Sequence, residues 1–72
     1  NRRLSDGARR QAAIFPQILE TAQSSKEAIS LLEEAGLEVE YVEDEDGRRF
    51  GAVVLEGVRL IDNWKIAVVA TV

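Results

Sequence analysis

The sequence offers few residues that could carry out catalysis. Its 72 residues include no histidine and no cysteine, which removes the commonest general base and every thiolate nucleophile or metal ligand. A serine–lysine pair is the remaining kind of nucleophile and base, but Ser25 and Lys26 are explained by the start of a helix. The five glycines are spaced as turn and cap residues and form no phosphate-binding loop. We therefore predict no catalytic residue in this chain.

An acidic run, Glu43–Gly47, resembles the beginning of a cation-binding loop. Arg48 and Arg49 follow it, and no glutamate closes the loop, so a solvated hairpin tip is the better interpretation. Glu38 and Glu40 lie two residues apart on the exposed side of a predicted strand. Without burial, neither carboxyl has its pKa raised toward that of a general acid. We predict no metal ligands here.

The charge is distributed unevenly. Four arginines and only Asp6 stand in the first ten residues, whereas the stretch from Glu38 to Asp46 carries six carboxylates. Each end could have its own partner, but two solvated faces are the favoured explanation. The acidic remainder of the chain repels nucleic acid, and no apolar run is long enough to cross a membrane. We expect a cytoplasmic protein with neither a nucleic-acid nor a membrane partner.

The first third of the chain has the periodicity of an amphipathic helix. Ser5 is a favourable N-cap, and Asp6 in the first turn suits the helix dipole. Pro16 removes the hydrogen bond to the carbonyl of Ala12, but the apolar stripe continues in phase through it. We therefore predict one kinked helix from about residue 6 to residue 23. The stripe consists of Ala8, Ala12, Phe15, Leu19 and Ala22.

A second helix and an antiparallel sheet are predicted to follow. Ser24 and Glu27 form a capping-box pair, and Gly36 is a natural helix end. Alternating apolar residues from Leu37 to Val42 indicate a strand, followed by a turn at Asp46-Gly47. The remaining predictions are a strand at Phe50–Leu55, a turn at Glu56-Gly57, a third strand at Val58–Ile61 ended by Asp62-Asn63, and a tail, Trp64–Val72, that continues or adds a strand.

This order of elements predicts an α+β domain. Two N-terminal helices should pack on one face of a small antiparallel sheet of three to four strands. No repeat or linker divides the chain, so residues 1–72 are expected to form a single domain.

Two stretches resemble the end of the pantothenate synthetase (pantoate–beta-alanine ligase) family. Val39–Glu43, followed by Gly51–Asn63, is similar to the family's Val-Asp-Tyr-Val-Glu strand and its hydrophobic run ending in Gly-x-x-Arg-Leu-Ile-Asp-Asn. Asn1–Ser5 resembles the family's Ser-Ser-Arg-Asn-x-x-Leu-Ser segment from its asparagine onward. The chain departs from the pattern in its shorter second helix, its short connection from Glu43 to Gly51, and Pro16.

The resemblance implies a function. The family condenses pantoate with beta-alanine through a pantoyl-adenylate, using ATP and magnesium, in the coenzyme A pathway. Nucleotide and pantoate bind chiefly in an N-terminal Rossmann-like domain with a His-x-Gly-His motif, which is absent from these 72 residues. By this resemblance the chain is the C-terminal lid domain, inactive alone and without a cofactor of its own. Its expected partners are the catalytic domain and, in the intact enzyme, pantoate, beta-alanine and ATP.

The resemblance also suggests which residues to inspect. Asn1 is the position nearest the family's ATP-phosphate contacts, and Arg2 and Arg3 could reach phosphate from the same arm. The favoured alternative is that the two arginines form only a hinge. The family signature comprises Arg59, Leu60, Ile61, Asp62 and Asn63, and is expected to be structural.

Within the signature, each residue has an expected structural place. Arg59 should face away from Leu60 and pair with Glu38, Glu40 or Glu56. Leu60 should point inward, and Asp62 and Asn63 should form a turn or bulge.

Two other functions remain open from the sequence. The chain could be a free-standing interaction module that binds a protein through its apolar tail or its acidic hairpin. It could also be an anion-binding regulatory domain that uses the N-terminal arginines.

Overall fold

A computed structural model describes residues 4–66. Three helices precede three strands in the order α1 (Asp6–Ala12), α2 (Ile14–Thr21), α3 (Ser25–Glu34), β1 (Glu38–Glu45), β2 (Arg48–Leu55) and β3 (Val58–Lys65). The predicted α+β class, with N-terminal helices packed against an antiparallel sheet, is confirmed. The end of the predicted tail lies outside the described residues. Within them, no helix is long and apolar enough to span a bilayer.

The predicted kinked helix is divided into α1 and α2 at Ala13. Pro16 has no N–H to donate to the carbonyl of Ala12, so the chain lacks one of the hydrogen bonds that would carry a helix across this point. Ala13 keeps a right-handed helical backbone, with φ −65° and ψ −19°. The interruption is therefore a single residue. The helix also ends earlier than predicted, because Ala22 is extended, with ψ 142°.

Both predicted ends of α3 are confirmed. Ser24 Oγ accepts the N–H of Glu27 at 3.0 Å, while the Glu27 carboxylate accepts the N–H of Gln23 at 2.9 Å. At the other end, Gly36 has φ 88°, the left-handed conformation that glycine adopts most easily. The N–H groups of Gly36 and Leu37 then bond to carbonyls of the last helical turn, closing a Schellman motif.

Two tight hairpins join the strands in the order β1-β2-β3. Asp46 and Gly47 have φ 52° and 76°, and Glu56 and Gly57 have φ 52° and 75°. Positive φ at both central residues defines the type I′ turn, whose twist matches that of antiparallel strands. Both turns predicted from the sequence are confirmed.

The prediction that β3 ends at Asp62 and Asn63 is wrong. These residues lie inside β3, where Asp62 pairs with Gly51 and Asn63 with Phe50 of β2. The reason is that β2 begins at Arg48, immediately after the turn, and so provides partners for a longer β3.

The helices cover one side of the sheet, which we call the inner face; the opposite side is the outer face. At Gly51 of β2, a Cβ atom would come within 3.1 Å of Leu19 and Phe15 of α2. The absence of a side chain at this position lets α2 lie directly on β2. The core cluster between the layers comprises Ala8, Phe15, Ile18, Leu19, Ala22, Ala28, Leu32, Leu37, Val42, Val53 and Leu55.

Candidate functional site

The five signature residues do not form one cluster. They alternate along β3, because successive side chains of a strand point to opposite faces. Leu60 lies on the inner face, partly buried against the core. Asp62 shares that face opposite Gly51, while Arg59, Ile61 and Asn63 lie on the outer face.

The outward signature residues make surface contacts. Of the three partners predicted for Arg59, the structure selects Glu40, with 2.5 Å between Arg59 Nε and Glu40 Oε1. The hydrogen bond and charge of Glu40 raise the pKa of Arg59 above its already high ordinary value. Asn63 Oδ1 accepts a hydrogen bond from Arg48 Nη1 at 2.8 Å. The Arg59–Glu40 contact bridges the two edge strands across β2, and the Arg48–Asn63 bond joins β2 to β3. Both contacts support a structural role for this half of the signature.

The residue that the sequence interpretation missed is Arg49. It is 2% exposed, and its guanidinium bonds to both carboxylate oxygens of Asp44, at 2.7 and 3.1 Å. Its Nη1 also donates to the carbonyl oxygens of Leu19 and Ala22, at 3.0 and 2.6 Å. These carbonyls belong to the C-terminal end of α2, where a positive charge complements the helix dipole. Arg49 therefore joins the hairpin to the helical layer.

A signal for Arg49 was present in the sequence. The Asp46-Gly47 turn fixes the register, so that Asp44 pairs with Arg49 two residues from the tip. Arg49 is also in phase with Gly51 and Val53, which share the inner face. Applying the two-residue period from the turn would have placed this arginine inside.

A cleft of about 560 Å³ lies beside Arg49, between the end of α2 and the ends of the strands. Asp44 and Lys65 are charged groups in its lining, and Trp64 contributes an aromatic surface. The hydrogen bonds of Arg49 are to Asp44 and the α2 carbonyls, so this arginine supports the wall of the cleft. The complete lining is Glu20, Thr21, Ala22, Gln23, Asp44, Arg49, Trp64, Lys65 and Ile66.

The N-terminal arm meets the domain at Ser5. Ser5 Oγ accepts the N–H of Ala8 at 3.1 Å, as expected for the N-cap of α1. The Glu56 carboxylate, at the β2–β3 turn, accepts the backbone N–H of Ser5 at 3.1 Å and its hydroxyl at 2.8 Å. We call these two hydrogen bonds the Ser5–Glu56 clamp. The predicted ATP-proximal residues, Asn1, Arg2 and Arg3, lie outside the described residues.

The Ser5–Glu56 clamp predicts a dependence of stability on pH. The backbone N–H of Ser5, and then its hydroxyl, lower the pKa of Glu56 below that of an ordinary glutamate. The clamp therefore contributes stability above the unfolded-state pKa of about 4.3, and the contribution is lost as pH falls through the lower folded pKa. Urea unfolding of the Glu56→Gln variant and the parent chain should show a stability difference at pH 7 that shrinks on acidification. A constant difference down to pH 2 would contradict the clamp.

The acidic hairpin distributes its carboxylates over both faces. Asp44 turns inward to Arg49, while Glu43 pairs with outward-facing Phe50. Among residues 4–66, no three histidine, cysteine, aspartate or glutamate side chains are grouped so as to hold a metal ion.

Comparisons with known proteins give one consistent result. The chain is 42% identical over 64 residues to a protein named pantothenate synthetase from Legionella pneumophila strain Corby, a match that covers 89% of this chain and 25% of that protein. It is 40% identical over 67 residues to a pantothenate synthetase from Coxiella burnetii strain Dugway 5J108-111, covering 93% of this chain and 26% of that protein. The chain thus spans about a quarter of the length of these relatives. No protein-family model matches it, and no solved structure matches it significantly.

Proposed function

The chain belongs to the pantothenate synthetase family, and we propose that it is the C-terminal lid domain of such a ligase. It spans about a quarter of the length of the matched relatives. The observation that carries the proposal is the identity of 40–42% across about nine-tenths of this chain. In the proposed reaction, the carboxylate of pantoate attacks ATP to form a pantoyl-adenylate with release of pyrophosphate, and the amine of beta-alanine then displaces AMP to form pantothenate.

A lid has a clear physical purpose in this chemistry. An acyl-adenylate is readily hydrolysed, so the enzyme must exclude water until the amine attacks. Closure of a small domain over the site is a common way to achieve this. The absence of histidine and cysteine from all 72 residues agrees with a supporting role for this chain and with adenylation chemistry supplied by another domain.

The internal contacts suit a lid that moves as one body. Arg49 joins the β1–β2 hairpin to the end of α2, and the Ser5–Glu56 clamp joins the start of α1 to the β2–β3 turn. Both ends of the sheet are therefore connected to the helical layer. A domain connected in this way changes orientation through its flanking segment while its interior stays packed.

The N-terminal arm, with Arg2 and Arg3, is proposed to act as a hinge, which leaves ATP recognition entirely to the catalytic domain. The alternative is that the arm, which begins at Asn1, approaches ATP, because guanidinium groups are well suited to phosphate oxygens. Saturable binding of ATP to this chain, weakened by salt and lost in the Arg2→Ala, Arg3→Ala double variant, would distinguish phosphate contact from a hinge.

Magnesium is assigned no ligand in this chain. Among the described residues, no carboxylates lie together as a magnesium site requires, and Asp44 already binds Arg49. In the proposed enzyme, as the family resemblance implies, magnesium and ATP are expected to bind chiefly in the catalytic domain.

We predict that this chain alone does not form pantothenate. The test incubates it with pantoate, beta-alanine and magnesium-ATP and measures AMP release, with a blank that lacks protein. Because the chain carries no group suited to adenylation, the two rates should be equal. Turnover above the blank would contradict its assignment as a lid.

A free-standing interaction module is the second candidate, and the outer face of the sheet favours it. Phe50 and Ile61 are exposed there, 38% and 62%, although both are large and apolar. The coding sequence upstream of Asn1 separates the two candidates. A His-x-Gly-His motif between a strand and a helix supports the lid, and a nearby start codon supports the module.

A further inference from the structure

The two type I′ turns of the sheet carry different residues at the same backbone position. Asp46 and Glu56 both have φ 52°, and the glycines that follow them have φ 76° and 75°. Aspartate suits this position, because its short polar side chain is compatible with positive φ. Glutamate is not among the residues that the turn favours. Non-glycine residues held at positive φ cluster at functional sites, so Glu56 calls for an explanation beyond the turn.

The length of the Glu56 side chain supplies that explanation. Its carboxylate accepts the N–H of Ser5 at 3.1 Å and the Ser5 hydroxyl at 2.8 Å, the two bonds of the Ser5–Glu56 clamp. An aspartate here would end about 1.5 Å short, the length of one carbon–carbon bond, which puts both contacts beyond hydrogen-bond distance. Asp46 is exposed at the other end of the sheet, away from Ser5, where reach is not needed.

The clamp holds the point at which the chain enters the domain. Leu4 is partly buried and packs against the core. Ser5 follows with an extended backbone, accepts the N–H of Ala8 as the N-cap of α1, and is bound at the same time by Glu56. The entering chain is thus fixed to the domain from Leu4 onward, so that any pivot lies upstream of Leu4.

We infer that Glu56 is a positioning residue of the proposed lid, which binds the entering chain to the sheet so that rotation of the arm moves the whole domain. The inference rests on the lid assignment and adds to it the residue that transmits the motion. Without the clamp, Ser5 and the first turn of α1 can separate from the β2–β3 turn, and the sheet no longer follows the arm. A lid that is seated imprecisely admits water to the acyl-adenylate.

Two opposite changes of one methylene group separate positioning from stability. Glu56→Asp keeps the charge and gives the turn a more favourable residue, but removes the reach to Ser5. Asp46→Glu is the matched control, because it makes the reverse change in the turn at the other end of the sheet. In urea unfolding, Asp46→Glu should be the less stable variant, since it places the less favourable residue at positive φ.

The ratio of AMP to pantothenate, produced by the proposed ligase that contains this chain, is the functional readout. The ratio should stay close to one for Asp46→Glu and rise at least about twofold for Glu56→Asp, because only Glu56→Asp loosens the lid. A purely structural role would give the opposite order, since leakage would then follow the loss of stability. Glu56→Gln keeps the length and one acceptor oxygen, so its ratio should lie between those of the parent and Glu56→Asp.

Amide hydrogen exchange in the 72-residue chain, measured by NMR, tests the contact itself. Because Glu56 binds the N–H of Ser5, Glu56→Asp should accelerate exchange at Ser5 at least about fivefold relative to Asp46→Glu. The N–H of Glu27 is the internal reference. It is bound by the Ser24 cap of α3, and its exchange should be the same in both variants.

The outcomes distinguish this inference from the lid assignment. If deletion of residues 1–72 raises the ratio of AMP to pantothenate and Glu56→Asp does not, the inference is overturned while the lid assignment stands. If the deletion leaves the ratio at one, the lid assignment is overturned, and the inference with it. Unchanged exchange at Ser5 in Glu56→Asp would overturn the clamp as the contact that couples the arm to the sheet.

Discussion

Replacing Arg49 with alanine should destabilise the domain by about 3–5 kcal/mol, because a buried charge network would lose its central member. The substitution would leave Asp44 without its partner and the Leu19 and Ala22 carbonyls without their donor. Asp44 is one-third exposed, so water can hydrate it in part, which favours the lower end of this range. Urea unfolding followed by far-UV circular dichroism measures the loss.

Arg48→Ala is the matched control. Arg48 is the adjacent residue and has the same charge, but it is exposed and bonds to Asn63 on the outer face. Its removal should cost at most about 1 kcal/mol. Equal losses for the two arginine variants would show that Arg49 does not join the hairpin to α2.

Leu19→Ala should lower the free energy of unfolding by about 2–5 kcal/mol. Leu19 is fully buried, and its side chain packs against β2 at Gly51. Because the residue beneath it is a glycine, Gly51 offers no side chain to fill the space, and a cavity is expected to remain. For a domain of this size, such a loss is a large part of the total stability.

Leu60→Ala provides the comparison. Leu60 lies on the inner face, as predicted, but it is only partly buried at the edge strand. Leu60→Ala should therefore lower the free energy of unfolding by less than half as much as Leu19→Ala. Thermal unfolding of both variants would show the order. A larger loss for Leu60 would mean that the core is centred on β3 and not beneath α2.

Local signals predicted most of the fold. The caps at Ser5 and Ser24, the stop at Gly36 and the two turns depend on neighbouring residues, and each was placed correctly. The strand ends were harder to predict. Asp62 and Asn63 have turn-forming side chains, but partners on β2 keep them in the sheet. Pairing between strands overrode the local preference.

The site was less predictable than the fold. Arg49 was missed because the alternation of side chains between the two sheet faces was not counted along β2 from the Asp46-Gly47 turn. The Ser5–Glu56 clamp joins residues 51 positions apart, so no local sequence pattern predicts it. Glu40 was one of three partners proposed for Arg59, and only the bulge between Val39 and Tyr41 distinguishes it. Contacts between distant residues depend on register, which the sequence constrains only through the turns.

The most direct test of the lid assignment is the ratio of AMP to pantothenate produced by the proposed ligase that contains this chain. With the domain present, the ratio should be close to one, because each adenylate is consumed by beta-alanine. With residues 1–72 deleted, the ratio should rise well above one, as water hydrolyses the unprotected pantoyl-adenylate. An enzyme that lacks this domain yet keeps both the ratio and the rate of pantothenate formation would contradict the assignment.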